Sequence, residues 1–156
     1  MARRSLRVDN WLSRRSVRSV SPLQFVDGDP RLAVAVEGSG PPVVFLHGIG
    51  GNRSNWRRQV ADLSASFTCF AWDARGYGDS DSPEALGAYG LVTLVDDVIG
   101  LIDTLDHEAV ALVGHDWGAI IAWAVAIMHP ERVAKLVSLN VPYRGHPAAF
   151  PTIDYI

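Results

Sequence analysis

The chain has 156 residues, 48% of them hydrophobic and 20% charged, with a formal net charge of −3. That allows one domain with a sizeable core and is an ordinary mixture for a globular protein. The one cysteine excludes an internal disulfide, no apolar run reaches the ~18 residues of a membrane span, and an acidic body is a poor match for nucleic acid, so neither a membrane nor a nucleic-acid partner is expected.

The charge is unevenly placed. Residues 1–20 hold six arginines (Arg3, Arg4, Arg7, Arg14, Arg15, Arg18) against one aspartate, a net +5 that leaves −8 on the other 136 residues. This Arg- and Ser-rich, acid-poor stretch has the composition of a transit peptide. The plainer reading is a basic disordered extension over residues 1–28. Arg3-Arg4 is followed by no apolar core and does not read as a secretion signal. Nothing in the cysteine usage points to an oxidising compartment, and a cytoplasmic location is expected.

Leu32–Val36 reads as a strand and Gly38-Ser39-Gly40-Pro41-Pro42 as a turn cluster. Val43–Leu46 is a short apolar run ending at His47-Gly48, and Ser54–Leu63 a helix after it. Phe67–Trp72 is a second apolar run, with Cys69 a plain core residue. Thr93 and Asp96 have capping-box spacing, and Leu94, Val98, Leu101 and Leu105 then keep helical spacing, with Asp96, Asp97 and Asp103 assigned to other faces. Ala109–Val113 is a third apolar run. Trp117–Met128 is apolar all round, a buried helix that should stop near His129 because Pro130 disfavours helical geometry there. Lys135–Leu139 is a fourth run, ending near Asn140. Continuous Val-, Leu- and Phe-rich runs suit strands buried on both faces, and their alternation with helices implies βαβ crossovers. The fold class is α/β, a mostly parallel sheet flanked by helices.

The chemistry concentrates in Val110–Ala119: a strand, then small-x-Asp-x-small-small, then a buried helix. A strand-to-helix turn this tight demands small flanking residues, which Gly114, Gly118 and Ala119 supply. Its apex residue, Asp116, is held exposed on a strained backbone near a helix N-terminus, where N–H groups and the helix dipole favour negative charge. The plainer alternative is an ordinary turn in which Asp116 caps the helix.

Two further segments bear on that choice. His47-Gly48-Ile49-Gly50-Gly51, following a strand, looks like the oxyanion-hole loop of α/β-hydrolases, and Asp73-Ala74-Arg75-Gly76-Tyr77-Gly78-Asp79-Ser80 resembles the D-x-R-G-x-G-x-S loop of the same fold. The resemblance runs from Leu32 to Tyr143 in matching order. It implies a nucleophile elbow at Asp116, with the backbone N–H groups of Ile49 and Trp117 as the oxyanion hole. His47, Gly48, Gly114, His115 and Gly118 then shape the motifs.

Most members of that fold carry serine at the apex. A serine attacking saturated carbon would leave an ether; a carboxylate leaves an ester, whose carbonyl water can attack with help from a general base. Asp116 therefore suits an electrophilic sp³ carbon, as in an epoxide or a carbon–halogen bond. Gly114-His115-Asp116-Trp117-Gly118-Ala119 resembles the elbow of epoxide hydrolases, as do Pro130-Glu131-Arg132-Val133, Leu139-Asn140-Val141-Pro142-Tyr143, and Trp56-Arg57 eight residues past Gly48. Epoxide hydrolases usually have His-Gly-x-Pro; Gly50 departs from this and is similar to serine-type lactonases. Haloalkane dehalogenases are the near relative, and there a Trp after the nucleophile, here Trp117, helps hold the halide.

The resemblance also implies what lies elsewhere. The triad's acid and histidine follow later strands, and activating tyrosines sit in a lid. Residues 29–145 are then the N-terminal part of a hydrolase core, incomplete without the lid and C-terminal strands, and 146–156 the approach to the lid. The chain on its own is expected to be truncated and inactive; the other reading is a non-catalytic vestigial domain. The substrate is expected to be a small epoxide or a halogenated or ester-like organic molecule. An open sheet edge should favour self-association. No two histidines have metal-ligand spacing with a carboxylate, so no metal is expected, and no cofactor; His107, His129 and His146 read as surface or turn residues. The glycines after His47 lack a phosphate-loop pattern.

Overall fold

The structure, a computed structural model, describes residues 23–105 and 107–142. The expectations for residues 1–22 and for the approach to a lid at 146–156 lie outside the described residues.

Six strands form one sheet: β1 (Leu23–Val26), β2 (Leu32–Gly38), β3 (Pro42–Leu46), β4 (Thr68–Trp72), β5 (Val110–His115) and β6 (Val133–Leu139), in the order β1-β2-β4-β3-β5-β6. β1, β2 and β4 pair antiparallel; β4, β3, β5 and β6 pair parallel. The helices are α1 (Arg57–Leu63), α2 (Leu91–Asp103) and α3 (Trp117–Met128).

Alternation along each strand divides the core into two layers. Val43, Phe45, Cys69 and Ala71 point to the face covered by α1, where they pack with Trp56 and Val60. Val44, Leu46, Trp72 and Leu112 point to the other face, against Val95, Val98, Leu101 and Ile102 of α2 and Ile121, Ala122 and Val125 of α3. Cys69 is fully buried, as expected of a core thiol, and burial pushes its thiol up to about 11.

Several expectations change in detail. Leu23–Val26 lies inside the stretch assigned to a disordered extension, yet it forms β1, with Leu23 opposite Ala35 and Val26 opposite Leu32. Four mostly exposed residues offer too short an alternation to read; pairing with β2 and the Arg31 guanidinium over the Phe25 ring hold them in place. The first helical segment opens as a 3₁₀ turn (Arg53–Trp56), with Asn52 as its cap, accepting from Ser54 N–H at 2.9 Å. Thr93 is not a helix cap: α2 starts at Leu91, and Leu94 N–H already donates to the Gly90 carbonyl at 3.1 Å.

Asp97 does not share the outer face with Asp96 and Asp103; it is buried against Arg75. α3 stops at Met128 as expected, but it is not buried all round, since Trp117, Ile127 and Met128 are exposed. β6 is not covered on both faces either. α3 covers one, through Trp123 Nε1–H donating to Ser138 Oγ at 3.0 Å, while Val137 and Leu139 are exposed on the other. Among the described residues no helix is long and apolar enough to cross a membrane.

Candidate active site

The sheet order places the candidate site. From β3 the chain crosses to β4 on one side, then returns past β3 to β5 on the other. The carboxyl ends of β3 and β5 therefore lie side by side where the winding reverses, the usual place for a site in an open α/β sheet. Leu46 of β3 is in register with Gly114 of β5. The loop after one strand and the turn after the other must meet.

They meet at Asp116. Its backbone has φ 56° and ψ −122°, a conformation disfavoured for a residue with a side chain. Its carbonyl opens α3 by accepting from Ala119 and Ile120 N–H groups at 2.9 and 3.2 Å, and its own N–H donates to the Leu139 carbonyl at 3.2 Å. The side chain makes no capping bond to α3. It faces the loop after β3, where Ile49 N–H donates to Oδ1 at 3.1 Å. The Trp117 N–H, and after it the Ile49 N–H, hold this carboxyl below its ordinary value.

Such close approach explains the small residues. A Cβ on Gly48 would stand 2.6 Å from Asp116 Cβ, and one on Gly118 would stand 2.1 Å from the Leu46 carbonyl oxygen. Gly114 is equally tight against the backbone of Gly118, at 2.4 Å.

The two histidines beside the elbow are both occupied. His47 is buried; its Nε2 accepts from Ala74 N–H at 3.1 Å, which requires the proton on Nδ1, and Nδ1 donates to the Gly48 carbonyl at 2.8 Å. Burial lowers its pKa, in keeping with a neutral ring that shapes the loop. His115 Nε2 lies 3.1 Å from Asn140 Nδ2.

Two supports escaped the sequence reading. Arg53, just past the Gly-rich loop, donates its N–H to Asp73 Oδ1 at 2.7 Å, and its guanidinium pairs with Asp73 and Asp79. Asp73 is wholly buried and also accepts from Asp79 N–H at 2.9 Å. The Asp73–Ser80 loop is thus a brace for the loop after β3, through Arg53 and through Ala74 on His47. Asn140 is the second; no local pattern joins it to His115, because β5 and β6 are brought together only by the sheet. His47, Asn55, Trp56, Gln59, His115 and Leu139 line a cavity of about 230 Å³ beside the elbow. Among the described residues no cluster of three His, Cys, Asp or Glu is placed to hold a metal ion.

This fold and elbow define a class. The alpha/beta hydrolase fold family matches residues 41–155, and the chain belongs to that family. Within it the chain is similar to epoxide hydrolases. It is 42% identical over 125 residues to "Epoxide hydrolase 3" of Siraitia grosvenorii, covering 80% of this chain and 40% of that protein. It is 43% identical over 107 residues to "Epoxide hydrolase B" of Mycobacterium tuberculosis, covering 68% of this chain and 30% of that one. The crystal structure of epoxide hydrolase VrEH1 from Vigna radiata superposes with a TM-score of 0.79 at 38% identity, over 83% of this chain and 41% of that chain. The chain therefore spans about two fifths or less of the length of these relatives.

Proposed function

We propose that Asp116 is the nucleophile of an epoxide hydrolase-like reaction on a small organic substrate. The observation that carries this reading is the carboxylate itself. It stands on a strained elbow, uncommitted to capping α3, with one oxygen on the Ile49 N–H at 3.1 Å. Its other oxygen attacks an epoxide carbon. The new C–O bond makes an alkyl ester, the ring C–O bond breaks toward oxygen, and that oxygen takes a proton from water.

In the second half, water adds to the ester carbonyl, loses its proton to a base, and the tetrahedral intermediate collapses to diol and free Asp116. The negative oxygen of that intermediate would sit on the Ile49 and Trp117 N–H groups; one such donor is typically worth ~3 kcal/mol. Among the described residues both ring nitrogens of His47 are engaged with backbone groups and His115 Nε2 with Asn140, so neither ring is aimed as a base by a partner at the Asp116 carboxylate. The described residues thus support alkylation rather than turnover.

A second reading, an alkyl halide in place of the epoxide, is favoured by one feature. Trp117, next to Asp116, is 42% exposed, and its indole N–H would be the donor to a leaving halide. Intact-protein mass spectrometry tests both. A small terminal epoxide should add one molecule to the chain, mapped to Asp116 and absent in Asp116→Ala; equal labelling of the two would sink the nucleophile. A primary alkyl bromide in a parallel arm separates the readings. Trp117→Phe should slow alkylation by the bromide but not by the epoxide if the indole serves a halide.

A further inference from the structure

The turn bearing Asp116 is held from the β6 side by two consecutive residues. Leu139 offers its carbonyl to Asp116 N–H, and Asn140 reaches back to His115, the residue before the nucleophile. Asn140 itself has φ 66°, the second described non-glycine residue with positive φ after Asp116. Asparagine is the side-chain-bearing residue that best tolerates that region. Here it turns the chain off the end of β6 and leaves its amide above β5. β5 and β6 run parallel, with His115 opposite Leu139, so these bonds cross between neighbouring strand ends.

The chemistry of the Asn140–His115 contact is one-directional. An amide nitrogen only donates, so His115 Nε2 must accept, and an imidazole that accepts at Nε2 carries its proton on Nδ1. A second histidine tautomer, with Nε2–H, would leave two donors facing each other.

We infer that Asn140 is a positioning residue for the nucleophile elbow. By donating to His115 Nε2 it fixes His115 as the Nδ1–H tautomer and, with the Leu139 carbonyl, pins the strained turn so that Asp116 keeps its place on the Ile49 N–H. The effect on reaction rests on Asp116 being the nucleophile; the effect on His115 does not.

Two variants and two measurements separate these. Asn140→Gly keeps a residue that accepts φ 66° but removes the amide. Asn140→Asp keeps the size and replaces the donor by an acceptor. Ring ¹⁵N shifts in the full chain, assigned with His115→Gln, report the neutral tautomer of His115. The wild type should show Nδ1–H, Asn140→Asp should show Nε2–H, and Asn140→Gly a mixture. Epoxide alkylation of Asp116 should slow by about three- to tenfold in both variants, the rate equivalent of one neutral hydrogen bond, with the far-UV spectrum unchanged. A tautomer indifferent to both substitutions overturns the inference, as does a changed tautomer with an unchanged alkylation rate. If wild-type Asp116 takes no label at all, the nucleophile reading fails and the tautomer shifts alone decide whether Asn140 holds the elbow.

Discussion

At Asp116, ground-state strain and electrostatics are set by different neighbours. A non-glycine residue at φ 56° carries a cost of roughly 1–3 kcal/mol, sustained only when the surroundings fix it. Here Leu139, Ala119 and Ile120 fix the backbone, and the Trp117 and Ile49 N–H groups stabilise the charge. Because those donors lower the carboxyl from 3.8, the ionised form is complete by about pH 5. Alkylation should therefore proceed at constant rate from there to pH 8 and fall only on further acidification. A rate that climbs through the histidine range, measured by single-turnover mass spectrometry, would put the reactivity on another group. Asp116, Ile49 and Trp117 were legible because a tight turn imposes its composition locally: small residues around an apex, and a Gly-rich loop after an apolar run. The roles of Arg53 and Asn140 were not, because each acts on a residue twenty or more positions away; Arg53 sits in no recurring local pattern, and the Leu139–Tyr143 segment that holds Asn140 does not name His115 as its partner.

Among the elements, α2 shows how a pattern can be read too simply. Leu94, Val98, Leu101 and Leu105 mark its apolar stripe. Asp97, three residues after Leu94 and four before Leu101, falls on that stripe and not opposite it. It is buried there because Arg75 meets it with two bonds of 2.6 Å, while a third, at 2.8 Å, ties the same guanidinium to the Ala88 carbonyl. The pair fastens α2 to the loop that braces the Gly-rich loop after β3. Removing one partner strands the other charge, so Asp97→Ala should cost about 3–5 kcal/mol in urea unfolding. Replacing both, as Arg75→Met with Asp97→Leu, should recover most of that loss; a double variant no better than the single would mean the cost is packing. Strand positions were legible for β2 to β6 from their apolar runs. Whether a run is covered on both faces was not, because that depends on which strand or helix comes alongside; among the described residues β6 pairs with β5 and packs against α3.

On the scale of the described residues, the order β1-β2-β4-β3-β5-β6 puts the site towards the middle of the sheet and leaves β6 at an edge. That edge carries Val137 and Leu139 exposed, with Lys135 as the one charge in the strand. Edges so lightly protected invite pairing. This chain should associate with itself in sedimentation velocity at micromolar concentration, and Val137→Lys should shift it toward monomer; an unchanged distribution would place the contact elsewhere. The winding of the sheet was readable from the alternation of strands and helices, but the antiparallel β1–β2–β4 side was not, since nothing in a short run of residues states its direction relative to its neighbours. Cys69 sits in the interior of that arrangement, opposite Glu37 of β2 on one side and Val43 of β3 on the other. A disulfide reagent can reach this thiol only when the layer of Trp56 and α1 lifts from that face of the sheet, and at about 11 the thiol is scarcely ionised while it stays shut. The molecule thus carries its own clock: the pace at which Cys69 is labelled in native buffer counts how often α1 and Trp56 leave the sheet.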